Sequence, residues 1–93
     1  MSDEIISQFP GSECRLFTRT SNPDNQGYHY TNILDVDSCA RIAYLSGGRH
    51  YFTRYPSSSN DYYRNTCWMT EKDQTCTVKP SSTGAMSYVM VYT

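Results

Sequence analysis

The sequence predicts a small α+β domain, a disulfide-stapled antiparallel sheet with one short helix packed on it. Three observations carry that reading. One stretch after Asp37 repeats its apolar residues at helical spacing. Several short runs rich in Tyr, Thr, Val and Phe are separated by polar turn residues, the pattern of antiparallel strands. Four cysteines stand in a 93-residue chain that is 38% hydrophobic, and so thin a core needs cross-links.

Residues 1–12 have little pattern and include Pro10 and Gly11, so they read as a lead-in or edge segment before a single domain at 13–93. Met1 is followed by Ser2, Asp3 and Glu4, with neither a positive region nor a long apolar run, so no signal peptide is expected within this chain. Glu13–Thr20 alternates as a strand does. Ser21–Gly27 (SNPDNQG) has the composition of a turn, and Tyr28–Thr31 can resume an extended segment.

The helix is expected to start at Asp37, whose carboxylate can accept from the free amides of a first turn, and to stop at Gly47-Gly48. Cys39, Ile42 and Ala43 fall at i, i+3 and i+4 and make its apolar face, which points the Cys39 sulfur inward. His50–Tyr55 follows as a strand. Tyr51, Thr53 and Tyr55 share one face, and His50, Phe52 and Arg54 share the other. Pro56–Asp61 is a polar loop. Asn65–Thr70 is a strand with Cys67 and Met69 on one face, and Trp68 is expected in the core beside Cys67. Glu71–Gln74 turns the chain so that Thr75–Val78 can pair back as a hairpin. Lys79–Ala85 reads as a loop, and Ser87–Tyr92 as the closing strand.

The cysteines are Cys14, Cys39, Cys67 and Cys76, separated by 24, 27 and 8 residues. Structural zinc sites draw their ligands from close pairs, and no such pair exists; a C-x-x-C redox motif is also missing. An even count in a small chain of this composition reads as two disulfides formed in an oxidising compartment, hence a secreted protein. Spacing leaves all three connectivities open.

The order of parts resembles the PAN/apple family. A capped helix carrying Cys39 leads to the aromatic strand Tyr51-Phe52-Thr53-Arg54-Tyr55, then to an Asn-x-Cys strand, Asn65-Thr66-Cys67, and to a terminal aromatic strand. The resemblance implies a bridge from the helix to the Asn-x-Cys strand, Cys39 to Cys67, and an outer bridge, Cys14 to Cys76. The family usually adds a further bridge, and neither of its cysteines is present here: Ala43 stands at one position and no cysteine lies near Arg49-His50 at the other, a pattern consistent with a lost bridge. The resemblance also implies a non-enzymatic binding module for a glycan or a partner protein, with a role such as adhesion.

The remaining chemistry points away from catalysis. Ser, His and Asp are present without a nucleophile elbow, Gly47-Gly48 lacks the following Lys that a phosphate loop needs, and Asp37 reads more simply as a cap than as half of an acid–base pair with Asp35. No cofactor is implied. A net charge of −1 argues against nucleic acid, and no apolar run reaches the roughly 20 residues that span a bilayer.

Charge is unevenly spread, however. Arg41, Arg49, Arg54 and Arg64 against Asp61 give residues 41–64 a charge of +3, interleaved with tyrosines. Arginine and tyrosine are enriched at binding surfaces, since both offer planar area with directed hydrogen bonds. The candidate ligand residues are therefore Arg49, Tyr51, Arg54, Tyr55, Tyr62 and Tyr63. The rival reading is a structural or self-assembling extracellular protein, a homo-oligomer whose tyrosines pack between subunits.

Overall fold

The computed structural model of the chain describes residues 5–18, 21–23, 28–46, 51–59, 62–70, 78–80 and 84–92. Its elements are β1 (Ile5–Phe9), β2 (Ser12–Thr18), β3 (Ser21–Pro23), β4 (Tyr28–Tyr30), α1 (Val36–Leu45), β5 (Tyr51–Tyr55), β6 (Thr66–Met69), β7 (Val78–Pro80) and β8 (Met86–Tyr92). Six strands form one antiparallel sheet in the order β1-β2-β8-β5-β6-β4, and β3 pairs with β7 in a separate two-stranded ribbon. The architecture is α+β and rich in strand.

Pro10 and Gly11 make the turn between β1 and β2. Proline presets its own φ, and Gly11 sits at φ +73°, where a side chain would be strained. Residues 5–9 of the expected lead-in are thus an edge strand of the sheet, with Phe9 opposite Ser12 and Ser7 opposite Cys14. The closing strand β8 inserts between β2 and β5, pairing Met90 with Cys14 and Tyr88 with Phe52.

Strand alternation then divides the sheet. Cys14, Leu16, Phe52, Cys67, Met69, Tyr88 and Met90 form one buried cluster with Cys39, Ala40 and Ala43 of α1. The helix packs on β5, β1 and β8. A disulfide joins Cys39 to Cys67, Cα–Cα 5.6 Å, and ties the helix to the far half of the sheet.

Several expectations need correction. The helix cap is Asp35, whose extended backbone (φ −147°) lets its carboxylate accept from the Ser38 amide at 2.8 Å; Asp37 lies inside the first turn. Gly47 and Gly48 lie outside the described residues, and the last turn closes when the Ser46 amide donates to the Ile42 carbonyl at 2.9 Å. Ser21–Pro23, expected in a turn, is a strand because its partner lies far away in sequence, at Val78–Pro80. Val78 therefore pairs with β3 and not back on β6, and Lys79 and Pro80 are strand residues. Cys14 is a buried free thiol, so it makes no outer bridge; Cys76 lies outside the described residues.

A candidate binding face of stacked aromatic rings

The face of the sheet opposite α1 follows from register. His29 lies opposite Trp68, Trp68 opposite Thr53, and Tyr55 opposite Thr66, so these residues share one face, away from the Cys67–Met69 side. Trp68 is consequently not in the core with Cys67. It is half-buried, one residue along the strand and on the other side.

Five rings join there. His29 stacks on Trp68 with centroids 4.3 Å apart and 17° between planes. Tyr63 lies 6.1 Å from Trp68, stacks on Tyr55 at 4.9 Å and meets Tyr62 edge-on at 4.7 Å. Tyr63 is the hub, since it touches three of the other four. Tyr55 is only 3% exposed and serves as its floor, whereas Tyr62 is 73% exposed. His29 is exposed as well, and the Tyr63 and Trp68 rings between them are half-buried. The result is a run of ring faces and edges along one side of the molecule.

Polar contacts hold the run in place. The Trp68 indole N–H donates to Thr66 Oγ1 at 2.9 Å, and the Thr66 hydroxyl donates to the Tyr63 carbonyl at 2.7 Å. The turn carrying Tyr62 and Tyr63 is thereby fixed on β6. At its end, Asn65 takes φ +53°, a conformation that asparagine tolerates better than most residues. Its carbonyl receives the Ile33 amide at 2.9 Å.

The other candidate residues separate. Arg54 points to the helix side, where its Nη2 donates to the Ile33 carbonyl at 3.1 Å and to Asn65 Oδ1 at 3.4 Å. Tyr51 is half-buried and packs edge-on with Phe17 at 5.2 Å. Arg49 lies outside the described residues. Of the other arginines in the +3 segment, Arg41 is on α1 beside β1, and Arg64 follows Tyr63 and is exposed. The described arginines do not converge on one groove. Tyr55, Tyr62 and Tyr63 do come together, and His29 and Trp68, which sequence reasoning missed, complete the set.

Titration behaviour follows burial and hydrogen bonding. Burial pushes the Cys14 thiol up to about 12, with the Asp37 charge adding to it. Hydrogen bonds from the Ser38 amide and hydroxyl hold the Asp35 carboxyl below its ordinary value, and Arg54 adds to that pull. Tyr92 is raised, first by burial and then by neighbouring Tyr44 and Cys14. Among the described residues, no three His, Cys, Asp or Glu side chains gather as a metal site would require, and no helix is long and apolar enough to cross a membrane. No family model, curated protein or solved structure matches the chain.

Proposed function

We propose that this chain is a secreted, non-enzymatic binding module that takes the ring faces of a glycan on the Tyr62–Tyr63–Trp68–His29 surface. The carrying observation is the continuity of that stack, with exposed rings at both ends and hydrogen-bonded, half-buried rings between them. Aromatic faces offer apolar contact area to the C–H side of a sugar, while the Tyr hydroxyls and the imidazole offer hydrogen bonds at the rim. A stack already ordered in the free protein avoids the entropy of immobilising side chains on binding.

The Cys39–Cys67 disulfide supports secretion, since such bonds persist in oxidising compartments. Its position, from helix to Asn-x-Cys strand, is the one that the PAN/apple resemblance implies, whereas the implied outer bridge from Cys14 is not formed. The self-assembly reading draws on a different observation, the exposed Tyr28 and Tyr30 on edge strand β4 (41% and 39%).

Trp68 is the single tryptophan, so its fluorescence reports the face directly. Titration of the protein against a panel of neutral and acidic oligosaccharides should change Trp68 emission saturably for a subset of them. Emission unmoved by every sugar, in a protein whose mass in sedimentation grows with concentration, would replace this reading with self-assembly.

A further inference from the structure

A cleft of about 310 Å³ opens at the opposite end of the sheet, lined by Ile6, Ser7, Gln8, Phe9, Asp37 and Arg41. Four of those residues are consecutive in β1. Successive strand side chains point to opposite faces, so a cleft touching four in a row runs along the edge of the strand. That edge is open, because β1 ends the sheet and, among the described residues, pairs only with β2. In an antiparallel ladder every second residue of an edge strand turns its N–H and C=O outward.

The helix supplies the other wall, in step with the strand. Ser7 donates a hydrogen bond to Asp37, and the Arg41 guanidinium sits 5.5 Å above the Phe9 ring. A shift of four residues along α1 thus matches a shift of two along β1. The distances agree, at about 6 Å for four helical residues and about 6.7 Å for two strand residues. The groove is negative at Ser7 and positive at Phe9. Arg41 makes no ion pair among the described residues.

We propose that this groove receives an extended peptide segment as a seventh strand, recognised by a basic and an acidic side chain two residues apart. The peptide backbone pairs with the open edge of β1, its carboxylate meets Arg41, and its ammonium meets Asp37. The two-residue period of a strand puts both charges on the same face, toward the helix wall. This site is separate from the aromatic face and does not depend on it.

The probe is the N-acetylated, C-amidated pentapeptide Thr-Glu-Thr-Lys-Thr, which places Glu at Arg41 and Lys at Asp37 when it runs antiparallel to β1. It is titrated into isotope-labelled protein and followed by amide chemical shifts. Shifts should concentrate on β1 and the first two turns of α1. Replacing Glu in the peptide by Gln, or Arg41 by Gln in the protein, should weaken binding about fivefold or more, since a charge-assisted hydrogen bond is lost. Arg41→Lys should retain most of it. Arg41 is exposed, so its variants test binding in a folded protein. The proposal is overturned if no β1 amide moves at millimolar peptide, or if Thr-Gln-Thr-Gln-Thr binds equally well. It is also overturned if the same amides shift with protein concentration alone, which would make a second copy the occupant.

Discussion

His29 and Trp68 face each other across the β4–β6 ladder, and their rings stack at 4.3 Å, nearly parallel. This one pair joins two structural tasks. It fastens a three-residue edge strand whose own side chains are all exposed, and it sets the end of the aromatic surface. The indole is gripped twice, by the imidazole and by the hydrogen bond of its N–H to Thr66.

Removing the imidazole should therefore uncover Trp68. His29→Ala is expected to red-shift Trp68 emission and to cost about 0.5–1.5 kcal/mol of stability, the worth of an aromatic pair beyond its buried area. Fluorescence and urea unfolding on the same variant check both effects.

The Cys39–Cys67 bridge closes a loop of sequence separation 28. In the chain-entropy view such a loop contributes about 3.5 kcal/mol by restricting the unfolded chain, a large share of a small domain's stability. The double Cys39→Ala, Cys67→Ala variant should lose about that amount in denaturant. Its loss should match that of the wild-type protein after reduction.

Cys14 should behave as an inert core thiol. Its folded-state value of about 12 lies above the ordinary 9.0, so the folded state favours the protonated form. Its contribution to stability is complete below pH 9 and is lost as pH rises from 9 toward 12. Alkylation at pH 8 should leave Cys14 unmodified until denaturant is added, because the thiolate is the reactive form. Rapid labelling of Cys14 in native protein would contradict its burial.

Arg54 joins the segment before α1 to the turn before β6. Arg54→Ala should destabilise the fold by about 1–3 kcal/mol, the scale of hydrogen bonds from a charged donor to partly buried acceptors, while leaving glycan binding unchanged. Unfolding midpoints and the oligosaccharide titration separate those two effects.

Local pattern made part of this legible. The helical period put Cys39 and Ala43 inward, and both are fully buried. Alternation in Tyr51–Tyr55 separated Phe52 and Arg54 from the tyrosines, which is how the strand lies. The cap shifted from Asp37 to Asp35 because two aspartates stand two apart, and only backbone geometry distinguishes the extended cap residue from a helical one. Ser21–Pro23 looked like a turn because its partner strand is remote in sequence. The aromatic face was hidden for the same reason, since the pairing of His29 with Trp68 is a matter of register between distant segments. One signal was available. Trp68 adjoins Cys67, and neighbours on a strand face opposite sides.

Whether the stacked rings form the binding surface is decided by comparing Tyr62→Ala with wild type on the oligosaccharides that perturb Trp68. Tyr62 is 73% exposed, so its loss should cost no more than its edge-on contact with Tyr63, about 0.5–1.5 kcal/mol, and leave the protein folded. The account predicts affinity reduced about three- to tenfold, the equivalent of one aromatic contact, with Trp68 still responding at higher sugar concentration. Unchanged affinity in a folded Tyr62→Ala protein would place the ligand elsewhere and contradict the account.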